Sequence, residues 1–96
     1  MSKHVQMNRE QAEIIALQAL VFLTKDQELF GRFIANSGTT PQDLKDHFTN
    51  PDFLGGVLDT ILADDAILLD FCSEASLSPE TLLLARRELP GGINNH

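Results

Sequence analysis

The stretch from Phe53 to Ala63, which reads FLGGVLDTILA, decides how the rest of the chain folds. Its apolar residues recur in pairs every three to four positions, at 53, 54, 57, 58, 61 and 62. This spacing predicts a helix that is buried along much of its length. Asn50 and Pro51 suit the N-cap and the first helical position just before it.

Gly55 and Gly56 lie inside this predicted helix, where each costs roughly 1 kcal/mol relative to alanine. A missing side chain lets a neighbouring backbone approach closely, which offsets that cost. We therefore predict that this is the central helix, against which the others pack. Its predicted core residues are Leu54, Val57, Leu58 and Ile61.

Capping residues and apolar periodicity divide the remaining chain into further helices, so we expect an all-α bundle of five to six helices. The expected helices besides the central one cover Arg9 to Leu23, the segment from Asp26 to about Asn36, Pro41 to near Phe48, a segment after Asp64 and Asp65, and Pro79 to about Leu89. The 96 residues fit one domain. We expect a flexible N-terminal arm at 1–7, a single helical domain at 8–90 and a disordered tail at 91–96.

An offset of 38 residues aligns the chain with itself without a gap. The offset pairs Asp26 with Asp64, Phe33 with Phe71, and a Thr-Pro step with a Ser-Pro step. Because these residues cap helices or anchor the core, the pattern indicates two pseudo-symmetric three-helix units, at about 8–48 and 50–89. We expect residues 16–46 to superpose on residues 54–84 through a rotation near twofold.

Composition limits the classes of partner. Fourteen acidic and seven basic residues give a formal net charge of −7, which repels phosphate backbones and anionic membrane surfaces. The apolar segments are interrupted before the length that a membrane span needs. Cys72 is the single cysteine, which excludes a disulfide within the chain and fits a cytoplasmic location. We expect a cytoplasmic protein with no membrane partner.

The sequence offers no site for chemistry. His4, His47, His96 and Cys72 share no metal-ligand spacing, and no calcium loop is present. There is no nucleophile beside a base, no paired carboxylate in an apolar setting and no phosphate-binding loop. We expect no catalytic, cofactor-binding or metal-binding residues, and therefore no enzyme.

The segment from Ile34 to Phe48, IANSGTTPQDLKDHF, resembles the helix-turn-helix of tetracycline-repressor-type regulators. It is one residue short between Ala35 and Gly38, and its reading helix would present Asp43 and Asp46 to phosphates. A DNA-binding regulator is therefore the alternative function, and nucleic acid is a disfavoured partner.

The preferred hypothesis is a protein-interaction or adaptor domain, with an unidentified protein partner or self-association. The first and last helices carry more apolar positions than a surface helix of so small a domain needs. The predicted partner-binding surface lies on the last helix, and at least one of its leucines should be poorly covered. The surface consists of Leu82, Leu83, Leu84, Arg86 and Arg87.

The chain as a whole resembles an uncharacterised family of short alphaproteobacterial proteins that has only a domain-of-unknown-function label. The resemblance covers about residues 12 to 91. It rests on Ala19-Leu20, Phe22-Leu23, Arg32-Phe33, Gly38 to Pro41, Leu44, Pro51, Phe53-Leu54, Val57 to Asp59, Asp64-Asp65 and Leu89 to Gly91. Ser76 stands where the pattern has a glycine like Gly38. The resemblance implies an all-helical bacterial cytoplasmic protein and supplies no activity, so the function stays unknown.

Overall fold

The computed structural model of this protein describes residues 7–47 and 49–90. In this part of the chain there are five α-helices, one 3₁₀ helix and no strand. The α-helices are α1 (Arg9–Thr24), α2 (Gln27–Ser37), α3 (Pro51–Leu62), α4 (Asp65–Ala75) and α5 (Pro79–Arg87). The prediction of an all-α bundle is confirmed. The predicted arm and tail fall outside the described residues, except for Met7, which packs against the core.

Side-chain caps start the helices where the sequence predicts them. Asn8, Asp26, Asn50, Asp64 and Ser78 each accept a hydrogen bond from a backbone N–H in the first turn of the helix that follows. These bonds satisfy donors that have no partner inside the helix, so each cap fixes the residue at which its helix begins.

The central helix of the prediction is α3, and it is the most deeply buried element. Leu54, Val57, Leu58 and Ile61 are all almost completely inaccessible to solvent. The helix packs against α1, α2, α4 and α5, so every other α-helix contacts it. The predicted core position of these four residues is confirmed.

The two glycines of α3 have different environments. A Cβ atom on Gly55 would lie 2.8 Å from Arg86 Nη1 and 2.9 Å from the carbonyl oxygen of Pro90, so only glycine fits there. A Cβ atom on Gly56 would meet nothing within 4 Å. The expectation of a close neighbour is confirmed at Gly55 and wrong at Gly56, which lies towards solvent.

The third predicted helix is a 3₁₀ helix, Pro41–Asp46, and is shorter than expected. Thr40 caps it by accepting a hydrogen bond from the N–H of Asp43. Leu44 is its partly buried apolar contact with the core. One apolar contact supports only a short element, and 3₁₀ geometry is typical of such short pieces.

The local backbone repeats at the offset of 38 residues. Asp26 and Asp64 have φ and ψ of −122° and 108° and of −132° and 115°. Gly38 and Ser76 both end their helices in the left-handed region, with φ of 76° and 59°. Glycine adopts this conformation without strain, whereas serine pays for its Cβ.

Packing between the two units is reciprocal. Helix α2 packs against α1 and α3, and its counterpart α4 packs against α3 and α1. Phe33 of α2 meets Phe53 edge to face with ring centroids 5.4 Å apart, and Phe71 of α4 meets Phe22 at the same separation. Each unit therefore contributes one phenylalanine that packs against the long helix of the other.

Candidate functional site

The predicted partner-binding surface on α5 does not form one exposed face. Leu82 and Arg86 lie inside the molecule, whereas Leu83, Leu84 and Arg87 are exposed. The helical period explains the division, because Leu82, Ala85, Arg86 and Leu89 recur three or four positions apart and point inward. Leu82 and Arg86 are therefore corrected to core positions, and the expected poorly covered leucines are Leu83 and Leu84.

Arg86 holds the end of α5 against α3. Its Nε donates to Asp59 Oδ1 at 2.6 Å and its Nη2 donates to Asp59 Oδ2 at 3.2 Å. Its Nη1 donates to the carbonyl oxygens of Leu89 and Pro90, at 3.0 and 3.2 Å. The fork geometry of a guanidinium suits such a paired carboxylate, and all three of its nitrogens donate a hydrogen bond here. The sequence predicted Arg86 as part of the partner-binding surface, and its pairing with Asp59 was not predicted.

The most continuous exposed apolar feature lies on α1. Ile14, Leu17 and Val21 are 51%, 38% and 59% exposed. Their spacing of three and four residues places them on one face of the helix, opposite the buried Ala12, Ala16, Ala19 and Leu23. We call Ile14, Leu17 and Val21 the outer stripe. The first helix is one of the two for which the sequence predicts an excess of apolar positions, and all three side chains stay more than a third exposed in the described chain.

Two grooves flank the outer stripe on the side of α4 and α5. One, of about 300 Å³, is lined by Met7, Gln11, Ile14, Ile15, Gln18, Leu77 and Thr81. The other, of about 280 Å³, is lined by Gln18, Val21, Phe71, Glu74 and Ala75. Because Gln18 lines both, the grooves run end to end along α1, and together they give the stripe a concave border.

Charged residues occupy the two ends of this surface. Glu10 precedes Ile14 by four residues, and Lys25 follows Val21 by four, so both lie on the side of the stripe. Lys25 is paired with Glu74 of α4, and Arg9 with Glu13 within α1. The surface therefore has an apolar centre with an acid at one end and a base at the other.

A more polar cleft of about 390 Å³ lies between α2, α3 and α4. It is lined by Leu29, Arg32, Phe33, Asn36, Asp59, Thr60, Ala63, Asp64 and Ile67. Thr60 of this cleft is the counterpart of Phe22, whose ring packs beside Phe71. Asp59 already pairs with Arg86, and Asp64 already caps α4, so both acids serve the fold.

The structure brings together no chemical site among the residues that it describes. No three His, Cys, Asp or Glu side chains in this part of the chain are grouped so that they could hold a metal ion. Cys72 is buried, and burial raises the pKa of its thiol above the ordinary value. A thiol whose pKa is raised is a weak nucleophile at neutral pH, which fits a structural role.

In the part of the chain that the structure describes, these observations define an all-α bundle with an exposed apolar face on one helix. The model of one family, described as "Protein of unknown function (DUF3572)", matches residues 9–92, and the chain belongs to this family. Comparison with curated proteins and with solved structures gives no match. Within residues 7–47 and 49–90, no helix has the length and apolar character needed to cross a membrane.

Proposed function

We propose that this chain is a non-enzymatic interaction domain whose docking surface is the outer stripe of α1. The main support for this proposal is that α1 is apolar on two opposite faces, and that only one of them is buried by the described chain. A stripe of apolar residues at helical spacing is the feature that another amphipathic helix recognises.

The burial of the opposite face supports this proposal. Ala12, Ala16 and Ala19 are fully inaccessible and let α1 approach its neighbours closely. The fold therefore gains its stability from that face and gains nothing from leaving Ile14 and Val21 in water. Exposed apolar side chains in a continuous patch, in contrast with scattered ones, mark interaction sites.

The geometry near the 3₁₀ helix argues against the DNA-binding alternative. The segment that corresponds to a reading helix, Pro41–Asp46, is six residues of 3₁₀ helix with Asp43 and Asp46 exposed. A reading helix in the major groove needs several turns of α-helix and a positive field. The proposal includes a cytoplasmic location, which the buried free thiol of Cys72 supports.

Site-specific photocrosslinking in cells that express the full chain tests the proposal. A benzoylphenylalanine at position 21 should give a discrete crosslinked species, because Val21 lies in the docking surface. The matched control is position 69, since Leu69 of α4 is 60% exposed and lies outside the stripe. Absence of crosslinks at position 21, or the same crosslinks at both positions, would contradict the proposal.

A further inference from the structure

We infer that the outer stripe binds a second copy of this chain, with the two α1 helices antiparallel about a twofold axis. This inference rests on the proposed function and names its partner. It follows from the order of residues along α1, which is complementary to itself when reversed.

The register is set by the positions of the stripe. In an antiparallel pair centred between Leu17 and Gln18, two residues face each other across the axis when their residue numbers add up to about 35. Ile14 then faces Val21 of the second copy, and Val21 faces Ile14 of the second copy. At the axis, Leu17 of each copy faces Gln18 of the other, so two leucine–glutamine contacts lie between the two apolar pairs.

The same register pairs the charges at the ends. Glu10 faces Lys25 of the second copy, and by symmetry Lys25 faces Glu10, so two acid–base pairs flank the apolar centre. Lys25 already contacts Glu74, but an ammonium group has three donors and can serve a second carboxylate. A parallel pair would instead place Glu10 against Glu10 and Lys25 against Lys25, which repel each other.

The net charge of the chain does not oppose this arrangement. The formal charge is −7, but Asp43, Asp52, Asp64 and Asp65 belong to the starts of other helices, whereas Asp26 directly follows Lys25. Glu10 and Lys25 balance each other, and Glu13 at the border is paired with Arg9. Because Glu74 lines the groove beside Val21 and Asp26 adjoins Lys25, the docking surface carries a small excess of acids, well below the net charge of the chain.

The grooves beside the stripe match the side chains that the second copy would bring. Side chains of one helix pack into the spaces between the rows of its neighbour. The groove beside Ile14 lies towards the start of α1 and the groove beside Val21 towards its end, and Gln18, which lines both, lies next to the axis. A twofold axis through this point gives each copy the same pair of grooves, as an isologous interface requires.

The size of the surface sets the expected strength. A 16-residue helix is about 24 Å long, so one helix pair covers less than a standard protein interface. We expect a weak, reversible dimer, with a dissociation constant on the order of 10 to 100 µM.

Charge exchange across the axis gives the sharpest test. Glu10→Lys alone and Lys25→Glu alone each create two repulsive pairs, and each should weaken the dimer by roughly tenfold or more in sedimentation equilibrium. An equimolar mixture of the two variants should form a heterodimer at least as strong as the wild type, because every pair is attractive again. The double variant should likewise recover the wild-type association.

Val21→Lys tests the apolar centre and should abolish dimer formation up to about 1 mM, since it buries a charge between apolar side chains. Leu69→Lys is the control and should leave the dimer unchanged, because it introduces the same lysine at an equally exposed apolar position outside the stripe. Circular dichroism of every variant should match the wild type, since all of these positions are exposed.

Two results would overturn the inference: a wild-type chain that stays monomeric at 1 mM, or variants of Glu10 and Lys25 that do not rescue each other. A monomeric chain that is crosslinked through position 21 to a different protein would remove the second copy as partner and leave the proposed function intact. A monomeric chain without crosslinks would remove both.

Discussion

The two units of the chain, residues 9–46 and 51–87, follow the same order of elements but end differently. In the second unit the third element is α5, whose end covers α3 at Gly55 and places Arg86 on Asp59. In the first unit the third element is the 3₁₀ helix Pro41–Asp46. At the offset of 38 residues, the counterparts of Gly55 and Asp59 are Leu17 and Val21, which are exposed.

This difference explains why the molecule has one closed and one open helix face. On α3 the sequence removes a side chain at Gly55 and supplies an acid at Asp59, so the end of α5 packs there. On α1 the equivalent positions carry apolar side chains, and no comparable element among the described residues covers them. A repeat therefore leaves an exposed apolar face when the element that covers one copy is shortened in the other.

The largest expected effects concern the buried phenylalanine that each unit contributes to the core. Phe33→Ala and Phe71→Ala should each lower the free energy of unfolding by ~3 to 5 kcal/mol, because both rings are buried and both pack edge to face on another phenylalanine. Urea denaturation followed by circular dichroism measures both. A loss below about 1 kcal/mol for either ring would show that its unit does not depend on the shared core.

A substitution at Gly55 tests the packing of the end of α5 against α3. Gly55→Ala should lower the free energy of unfolding by ~1 to 3 kcal/mol, because its Cβ would approach the Pro90 carbonyl to 2.9 Å. Gly56→Ala is the matched control, and it should raise stability by up to about 1 kcal/mol, because the position is open and alanine favours the helix. Equal effects of the same sign would refute close packing of α5 on α3.

Removing Asp59 tests the same face through its charge. Asp59→Ala should cost roughly 1 to 2 kcal/mol, since it leaves the buried Arg86 guanidinium without its carboxylate. The comparison is Glu74→Ala, which removes an exposed pair with Lys25 and should cost less than about 1 kcal/mol. Thermal unfolding at low and high salt compares them, and a larger loss at Glu74 would contradict the structural role given to Arg86.

The smallest expected effect concerns the turn after the second helix of each unit. Ser76→Gly should raise the free energy of unfolding by ~0.5 to 1 kcal/mol, because Ser76 has the left-handed conformation that Gly38 adopts without strain. Gly38→Ser should lower it by a similar amount. Denaturation of both variants under one condition gives the two values, and a destabilised Ser76→Gly would mean that the serine side chain supports its turn.

Local signals made most of the fold predictable from sequence. Asp26, Asp64 and Ser78 define helix starts within a few residues of chain, and the apolar period of α3 reports its burial directly. The Asp59–Arg86 pair spans 27 residues, and no local pattern predicts which acid a distant arginine contacts. The helical period of α5 places position 86 on the inward face with Leu82 and Leu89. Because Arg86 is charged, however, we predicted that it was exposed.

The surface on α1 was only partly predictable for a related reason. The sequence indicates that Ile14, Leu17 and Val21 extend the apolar face of their helix, which favours contact on more than one side. Whether the chain itself supplies that second contact depends on where α2, α4 and α5 pack. That packing leaves the outer stripe uncovered by the described residues.

The central claim is that the open face of α1 binds a second copy of this chain while the closed face of α3 does not. A dilution series of ¹⁵N–¹H correlation spectra tests it most directly, because each backbone amide reports its own surroundings. We predict that the amide chemical shifts of Ile14, Leu17, Gln18 and Val21 depend on concentration, and that those of Gly55, Gly56 and Asp59 do not. Shifts centred on α3, or spectra that do not change up to about 1 mM, would contradict it.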